Sequence, residues 1–249
     1  MTSFRIIIPA RYQSSRFPGK ALCEIAGKTM IERVYQQAIQ SGAASTVIAT
    51  DDERIAECAK NFGAEVCMTD PKHDNGTERL AEAIRKLNYK DDEIIVNVQG
   101  DEPLIPPSII RQVADNLALK KEADITTLYK PITEIEKLFD INVVKVVLDR
   151  EGYALYFSRA PIPWVRDSFP KSLPKQVSHY HHIGIYAYRA AFVQEYVSWD
   201  RSPIEQLEQV EQLRALWYGK RIHLDLAKEF PAMDVNTPED LEKIKKLFS

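Results

Sequence analysis

The sequence predicts an α/β fold: a Rossmann-like, mixed and mostly parallel sheet with helices on both faces, plus a small antiparallel lobe. Three observations predict it. Short β-branched runs alternate with stretches of helical period as far as residue 124. The first run, Ile6-Ile7-Ile8, stops at Pro9 and opens into a loop that carries Arg11, Arg16 and Lys20. Beyond residue 124 the strand-like runs have fewer helices between them.

The elements follow in order. Residues 4–9 read as a buried strand. Met30, Ile31, Val34, Ala38 and Ile39 recur near helical period, and Gly42 suits a left-handed C-terminal position. Residues 46–50 form the second strand, and Asp51-Asp52 starts a helix whose inner face is Ile55, Ala59 and Phe62. A third strand spans 64–68. The polar loop 70–79 opens a helix with Leu80, Ala83, Ile84 and Leu87 inward. Residues 93–98 are apolar nearly throughout, as a central strand requires. They end in Gln99-Gly100-Asp101-Glu102-Pro103, and Pro106-Pro107 begins the next helix.

Strands are expected at 125–129, 143–148, 153–158 and 183–188, with a hairpin turn at Asp149-Arg150-Glu151-Gly152. Residues 166–178 read as a polar loop. Ser202-Pro203-Ile204-Glu205 is a capping box, and one helix is expected from it to about Tyr218, with Leu207, Val210, Leu213 and Trp217 on its buried side. A last strand at 222–226 precedes Asp234-Val235-Asn236 and a helix start at Thr237-Pro238-Glu239-Asp240.

Composition narrows the class. The 249 residues are 45% hydrophobic and 28% charged, enough for a sizeable core. Lys plus Arg is 33 and Asp plus Glu is 36, so the net charge is −3, a poor match for a sequence-independent nucleic-acid binder. Cys23, Cys58 and Cys67 are odd in number and lack Cys-x-x-Cys spacing, so they read as reduced thiols and not as a disulfide or zinc framework. With no membrane-length apolar stretch and no signal-peptide pattern, a cytoplasmic protein is expected.

Arg11, Arg16 and Lys20 suit a polyphosphate: arginine offers a bidentate fork and lysine a point charge. Asp101 stands just past the end of the central strand, where ligands of open α/β sheets bind. A carboxylate facing phosphate-binding cations fits a divalent ion such as Mg²⁺ between them. Neither a Walker-type phosphate loop nor a Gly-x-Gly-x-x-Gly motif follows the first strand.

Ile8-Pro9-Ala10-Arg11-Tyr12 with Arg16-Phe17-Pro18-Gly19-Lys20 resembles the nucleotidyltransferase loop of the sugar-nucleotide cytidylyltransferases. His73-Asp74-Asn75-Gly76-Thr77-Glu78-Arg79, Asn97-Val98-Gln99-Gly100-Asp101-Glu102-Pro103, Tyr156-Phe157-Ser158-Arg159, His182-Ile183-Gly184-Ile185-Tyr186 and Glu211-Gln212-Leu213-Arg214 extend the resemblance over essentially the whole chain. These later segments are similar to the branch that uses 3-deoxy-manno-octulosonate (KDO).

The resemblance implies a single catalytic domain over 1–249, with a sub-lobe at roughly 125–200 for acceptor binding and homodimer formation. The implied reaction joins CTP and KDO into CMP-KDO and pyrophosphate, for lipopolysaccharide synthesis. Ala10, Arg11, Arg16 and Lys20 would hold the triphosphate, and Asn75, Gly76, Thr77 and Arg79 would lie near the nucleotide, although Arg79 could equally anchor its helix. Arg11, Lys20 and Asp101 would carry the chemistry. Gln99, Arg159, His182, Tyr186, Glu211 and Gln212 would surround KDO, with Arg159 and His182 as cations for its carboxylate. Asp101 would bind Mg²⁺ together with a second residue. The family often has Gly-Val-Asp-Thr-Pro near the C-terminus, whereas this chain has Asp234-Val235-Asn236-Thr237-Pro238, so the second ligand is either Asp234 or Asn236. Rival readings are another acidic sugar (an 8-amino KDO analogue or a sialic acid) and a non-catalytic nucleotide-sugar-binding regulator.

Overall fold

The computed structural model describes residues 2–13, 17–73, 75–166, 169–170 and 179–248. Among them, β1 (Arg5–Ala10) leads through a 3-10 turn at Lys20–Leu22 and a short hairpin, β2 (Glu24–Ile25) and β3 (Lys28–Thr29), into α1 (Met30–Gln40). There follow β4 (Ser45–Thr50), α2 (Glu53–Asn61), β5 (Glu65–Met68), α3 (Gly76–Lys86), β6 (Ile94–Asn97) and α4 (Pro107–Leu119). The second half holds β7 (Ile125–Ile132), α5 (Ile135–Phe139), β8 (Lys145–Leu148), β9 (Ala154–Ser158), β10 (His179–Arg189), α6 (Ala190–Tyr196), α7 (Pro203–Glu208), α8 (Leu213–Trp217), β11 (Ile222–Leu226) and α9 (Pro238–Lys246).

The main sheet runs β5-β4-β1-β6-β10-β7-β11. Only β10 opposes the common direction along this path, pairing antiparallel with both β6 and β7. The mixed, mostly parallel sheet is therefore as the sequence predicts. Strand alternation gives it two buried faces. Ile6 and Ile8 join Val34, Ile55, Ile109 and Val113 on the side of α1, α2 and α4. Ile7 joins Val47, Leu80, Ile95 and Val193 on the side of α3 and α6. Each such side chain contributes roughly 1.5–3 kcal/mol on burial. The antiparallel lobe is β8 and β9, laid against the first half of β10. Asp149 Oδ1 accepts from the backbone N–H groups of Glu151 and Tyr153 to close its hairpin.

Two features place the site. β10 is longer than the expected 183–188, and its pairing with β7 shifts register between Ile183 and Ala187. In addition, the single helix expected after Ser202 is two helices. Gln209 takes the left-handed conformation (φ 52°) and ends α7. Leu207 is 84% exposed and Trp217 55%, so neither lies on a buried stripe, while Val210 and Leu213 are buried. The break is fixed from outside the segment. Glu205 and Arg214 form a buried bidentate ion pair at 2.7 and 2.9 Å across it, and Arg159 donates to the carbonyls of Glu208 and Gln209. The capping box itself forms as expected. The sequence from 203 to 218 has helical period, but these tertiary bonds override it.

Candidate active site

The site lies at the edge of the sheet where β1, β4 and β6 end and β10 begins. Gly19 N donates to the Tyr12 carbonyl at 2.8 Å and closes the loop after β1. Gly19 has φ 73°, and a Cβ there would lie 3.1 Å from the Tyr12 ring, so glycine meets two demands at once. The Arg54 guanidinium covers the other part of that ring, 3.3 Å from its centroid. Lys20, directly after this closure, places Nζ 2.6 Å from Asp101 Oδ2 and 3.2 Å from the Val235 carbonyl oxygen. Val235 N in turn donates to the Asp101 carbonyl at 2.9 Å. The opening loop, the end of β6 and the segment before α9 therefore meet at one carboxylate. Ala10 is buried and Arg11 exposed beside this junction; Arg16 lies outside the described residues.

Gly100 is what lets Asp101 reach that point. A Cβ at Gly100 would be 3.0 Å from the Pro9 carbonyl oxygen. Next to Asp101, Glu102 Oε2 is buried with no hydrogen-bond partner among the described residues. Burial, and then the charges of Asp101 and Asp234, push the Glu102 carboxyl up to about 8. Asn236 donates its amide N–H to Asp234, and its backbone N–H goes to Asp240 at 3.2 Å, within the start of α9. No three His, Cys, Asp or Glu among the described residues are grouped to hold a metal ion by themselves. Asp101 and Asp234 both lie near enough to Glu102 to raise its pKa, so two carboxylates offer hard oxygen donors at this junction. Such a pair fits a Mg²⁺ ion that takes one or two carboxylates and completes its shell with phosphate and water.

On the α3 side, two predicted nucleotide residues spend their polar groups on the fold. Asn75 caps α3: its Oδ1 accepts from Glu78 N at 2.9 Å, and its Nδ2 donates to Glu78 Oε1 at 2.9 Å. Arg79 is buried, donates to Thr69 Oγ1 and lies 3.3 Å from Asp51 Oδ1, so it anchors α3 to the ends of β4 and β5. Gly76 rests against Pro9 and brings the helix N-terminus over the end of β1. Thr77 lines a cavity that it shares with Asn97, Gln99, Tyr186, Glu211 and Gln212.

This cavity has a volume of about 40 Å³ and is partly open to solvent, and three strands and the α7–α8 break contribute to it. Asn97 Oδ1 and Glu211 Oε1 are buried there without partners among the described residues. Burial raises the Glu211 pKa against a hydrogen bond from Thr77. His182 is buried. Its Nε2 is 3.0 Å from Thr127 Oγ1 and its Nδ1 is 3.3 Å from Gln212 Nε2. Tyr186 OH donates to Gln212 Oε1 at 3.1 Å. Burial, and then His181, push the His182 imidazole down to about 3. It therefore sits in the site as a neutral donor and acceptor, not as the cation expected for a sugar carboxylate. Arg159 spends three N–H groups on the carbonyls of Ile141, Glu208 and Gln209.

Gln99, Tyr186, Glu211 and Gln212 are thus brought together with His182 behind them, and Arg159 is placed at the wall that shapes the break. Asn97 and Glu102 stand in the segment that carries the resemblance but take no role from it, and Thr127 lies outside every such segment. Asn97 and Glu102 flank residues that were singled out, and an orphaned polar group inside an apolar strand was a usable signal. Thr127 offered none.

A family model described as cytidylyltransferase matches residues 5–222. The chain is 57% identical over 257 residues to a 3-deoxy-manno-octulosonate cytidylyltransferase of Pasteurella multocida (strain Pm70), covering 99% of each chain. It is 58% identical over 248 residues to a protein of that name from Vibrio vulnificus (strain YJ016), covering 99% of this chain and 98% of the relative. The solved structure of a CMP:2-keto-3-deoxy-manno-octonic acid synthetase complexed with CTP superimposes with a TM-score of 0.91 at 38% identity, covering 99% of this chain and 98% of the other. The chain belongs to the cytidylyltransferase family, among the 3-deoxy-manno-octulosonate cytidylyltransferases.

Proposed function

We infer that the protein transfers the cytidylyl group of CTP to KDO, forming CMP-KDO and pyrophosphate in the cytoplasm, for lipopolysaccharide synthesis. One observation carries the reading: Gln99 lines the cavity with Tyr186, Glu211 and Gln212, and Asp101, two residues further on, pairs with Lys20, so cavity and junction adjoin after β6. The junction suits a triphosphate and the cavity a polyol. A sugar hydroxyl attacks the α-phosphorus of CTP in line, the bond to the β-phosphate oxygen breaks, and pyrophosphate leaves with that electron pair. Such a transfer rests on positioning and charge stabilisation. Arg11 and Lys20 neutralise the leaving group. Asp101, with Asp234 or Asn236, would hold Mg²⁺, which when bound polarises the α-phosphate. Tyr186, Glu211, Gln212 and Gln99 hold the hydroxyls, and Arg159 the carboxylate after release from its carbonyl partners.

The protein acts as a homodimer through the sub-lobe, a reading supported by Ile141, Leu155 and Trp164, which are 67%, 61% and 59% exposed there. Light scattering at the monomer mass would overturn it. The reaction itself is tested with purified protein, CTP, KDO and Mg²⁺, following pyrophosphate release and the phosphorus spectrum of the product. Absence of pyrophosphate, or a higher kcat/KM with sialic acid than with KDO, would reject the assignment.

A further inference from the structure

Thr127 has one proton and two partners. Ile183 O, at 2.9 Å, can only accept; His182 Nε2, at 3.0 Å, can do either. The hydroxyl proton therefore goes to Ile183 O, and Oγ1 accepts from His182 Nε2–H. That leaves Nδ1 of the neutral ring as an acceptor, which matches Gln212 Nε2 facing it at 3.3 Å. With its amide nitrogen turned to His182, Gln212 turns Oε1 to Tyr186 OH, 3.1 Å away. Tyr186 spends its only proton on that oxygen, and its phenol stays protonated because burial raises its pKa. The Tyr186 oxygen then shows only lone pairs to the cavity. Every donor in the chain from Tyr186 to Ile183 O points the same way. The register shift in β10 between Ile183 and Ala187 brings Thr127 to both partners.

We propose that Thr127 is a positioning residue: its hydroxyl fixes the His182 tautomer and the Gln212 amide, so that Tyr186 accepts a hydrogen bond from a sugar hydroxyl. The proposal rests on the cavity being the sugar site. It assigns the Tyr186 contact to a substrate group that carries a proton, so a sugar with hydrogen or an ether at that carbon loses the bond.

The test compares Thr127→Val, which keeps the shape and removes the hydroxyl, with Thr127→Ser, which restores it. Long-range ¹H–¹⁵N spectra of the histidine-labelled full chain report the tautomer. The wild type and Thr127→Ser are expected to carry the His182 proton on Nε2, and Thr127→Val to lose that preference. Thr127→Val is expected to raise the KM for KDO about tenfold, the loss of one to two hydrogen bonds, with the KM for CTP unchanged and Thr127→Ser restoring the wild-type value. An unchanged tautomer or an unchanged KM for KDO in Thr127→Val overturns the proposal. Gln212→Ala with an unchanged KM for KDO overturns the sugar-site reading itself, and the tautomer signal then still reports the hydrogen-bond chain separately.

Discussion

Lys20 Nζ lies 2.6 Å from Asp101 Oδ2, across 81 positions of sequence, and the same ammonium reaches the carbonyl of Val235. A half-buried pair of this kind contributes only about 1 kcal/mol to stability. Its value is local: it holds a cation and a carboxylate side by side where a triphosphate and a metal ion would separate them.

The first prediction follows. Lys20→Met should lower kcat/KM by ~10²–10³, the usual cost of one charge stabiliser, while the thermal midpoint moves by only a few degrees. Asp101→Asn should abolish turnover with an unchanged far-UV spectrum. Near-normal activity of either variant would place the chemistry elsewhere.

Asp234 and Asn236 differ in what they offer. Asn236 gives its amide N–H to Asp234 and its backbone N–H to Asp240, as a residue that orients a neighbour does. Asp234 carries the charge that Glu102 senses. Asp234→Asn should therefore reduce activity more than Asn236→Ala, and should weaken Mg²⁺ binding measured by calorimetry in the presence of CTP. The reverse ranking would make Asn236 the governing ligand.

Gly100→Ala places a methyl 3.0 Å from the Pro9 carbonyl oxygen, between two adjoining strand ends. Neither backbone can yield cheaply, so a loss of roughly 1–3 kcal/mol is expected. Asp101, the next residue, should move with it and turnover should fall. A variant with full activity and an unchanged melting temperature would show that the edge is softer than its contacts imply.

Glu82 ties down the loop before α3. Burial raises its pKa, but Lys86, the backbone N–H of Asp70 and His73 outweigh that and bring it to about 2. A carboxylate depressed in the folded state binds fewer protons there than when unfolded. Its stabilisation is present above the ordinary carboxylate range and is lost as pH falls from about 4.5 toward 2. Glu82→Gln should be less stable at pH 7 and should show a shallower loss between those pH values in denaturant titrations. Parallel curves would mean that other groups dominate acid unfolding.

The fold was legible because its signals are local. Ile6-Ile7-Ile8 followed by Pro9, Asp52 before α2 and Thr237-Pro238 before α9 each specify an element within a few residues, and each appears where expected. The Lys20–Asp101 junction was legible for the same reason, since Lys20 and Asp101 each stand just past a strand end. The cavity beside the α7–α8 break was not. Arg159, Glu205 and Arg214 break an otherwise helical segment through contacts up to 50 residues apart. Thr127 reads as an ordinary strand residue until the register shift between Ile183 and Ala187 makes it a hydrogen-bond partner of His182. The charge state of His182 depends on burial, which spacing does not reveal.

The last prediction concerns that break. Glu205 and Arg214 are both almost fully buried and bonded at two points, and the Arg214 guanidinium also lies 4.7 Å from the centre of the Tyr196 ring. Glu205 completes the capping box at the same time: its Oε2 accepts from the Ser202 backbone N–H and its own backbone N–H donates to Ser202 Oγ. Replacing Glu205 by Ala leaves an arginine charge buried and unpaired, at a cost of about 3–5 kcal/mol, which for a chain of this size lowers the melting temperature by on the order of 10 °C. Between the two partners lie Gln209, Val210, Glu211 and Gln212, whose path the pair defines. The KM for KDO should therefore rise in Glu205→Ala at temperatures where the variant is still folded, while the KM for CTP stays near the wild-type value. A destabilised variant with both constants unchanged would mean that Arg159 and Val210 hold the break alone, and that the ion pair serves stability without shaping the sugar cavity.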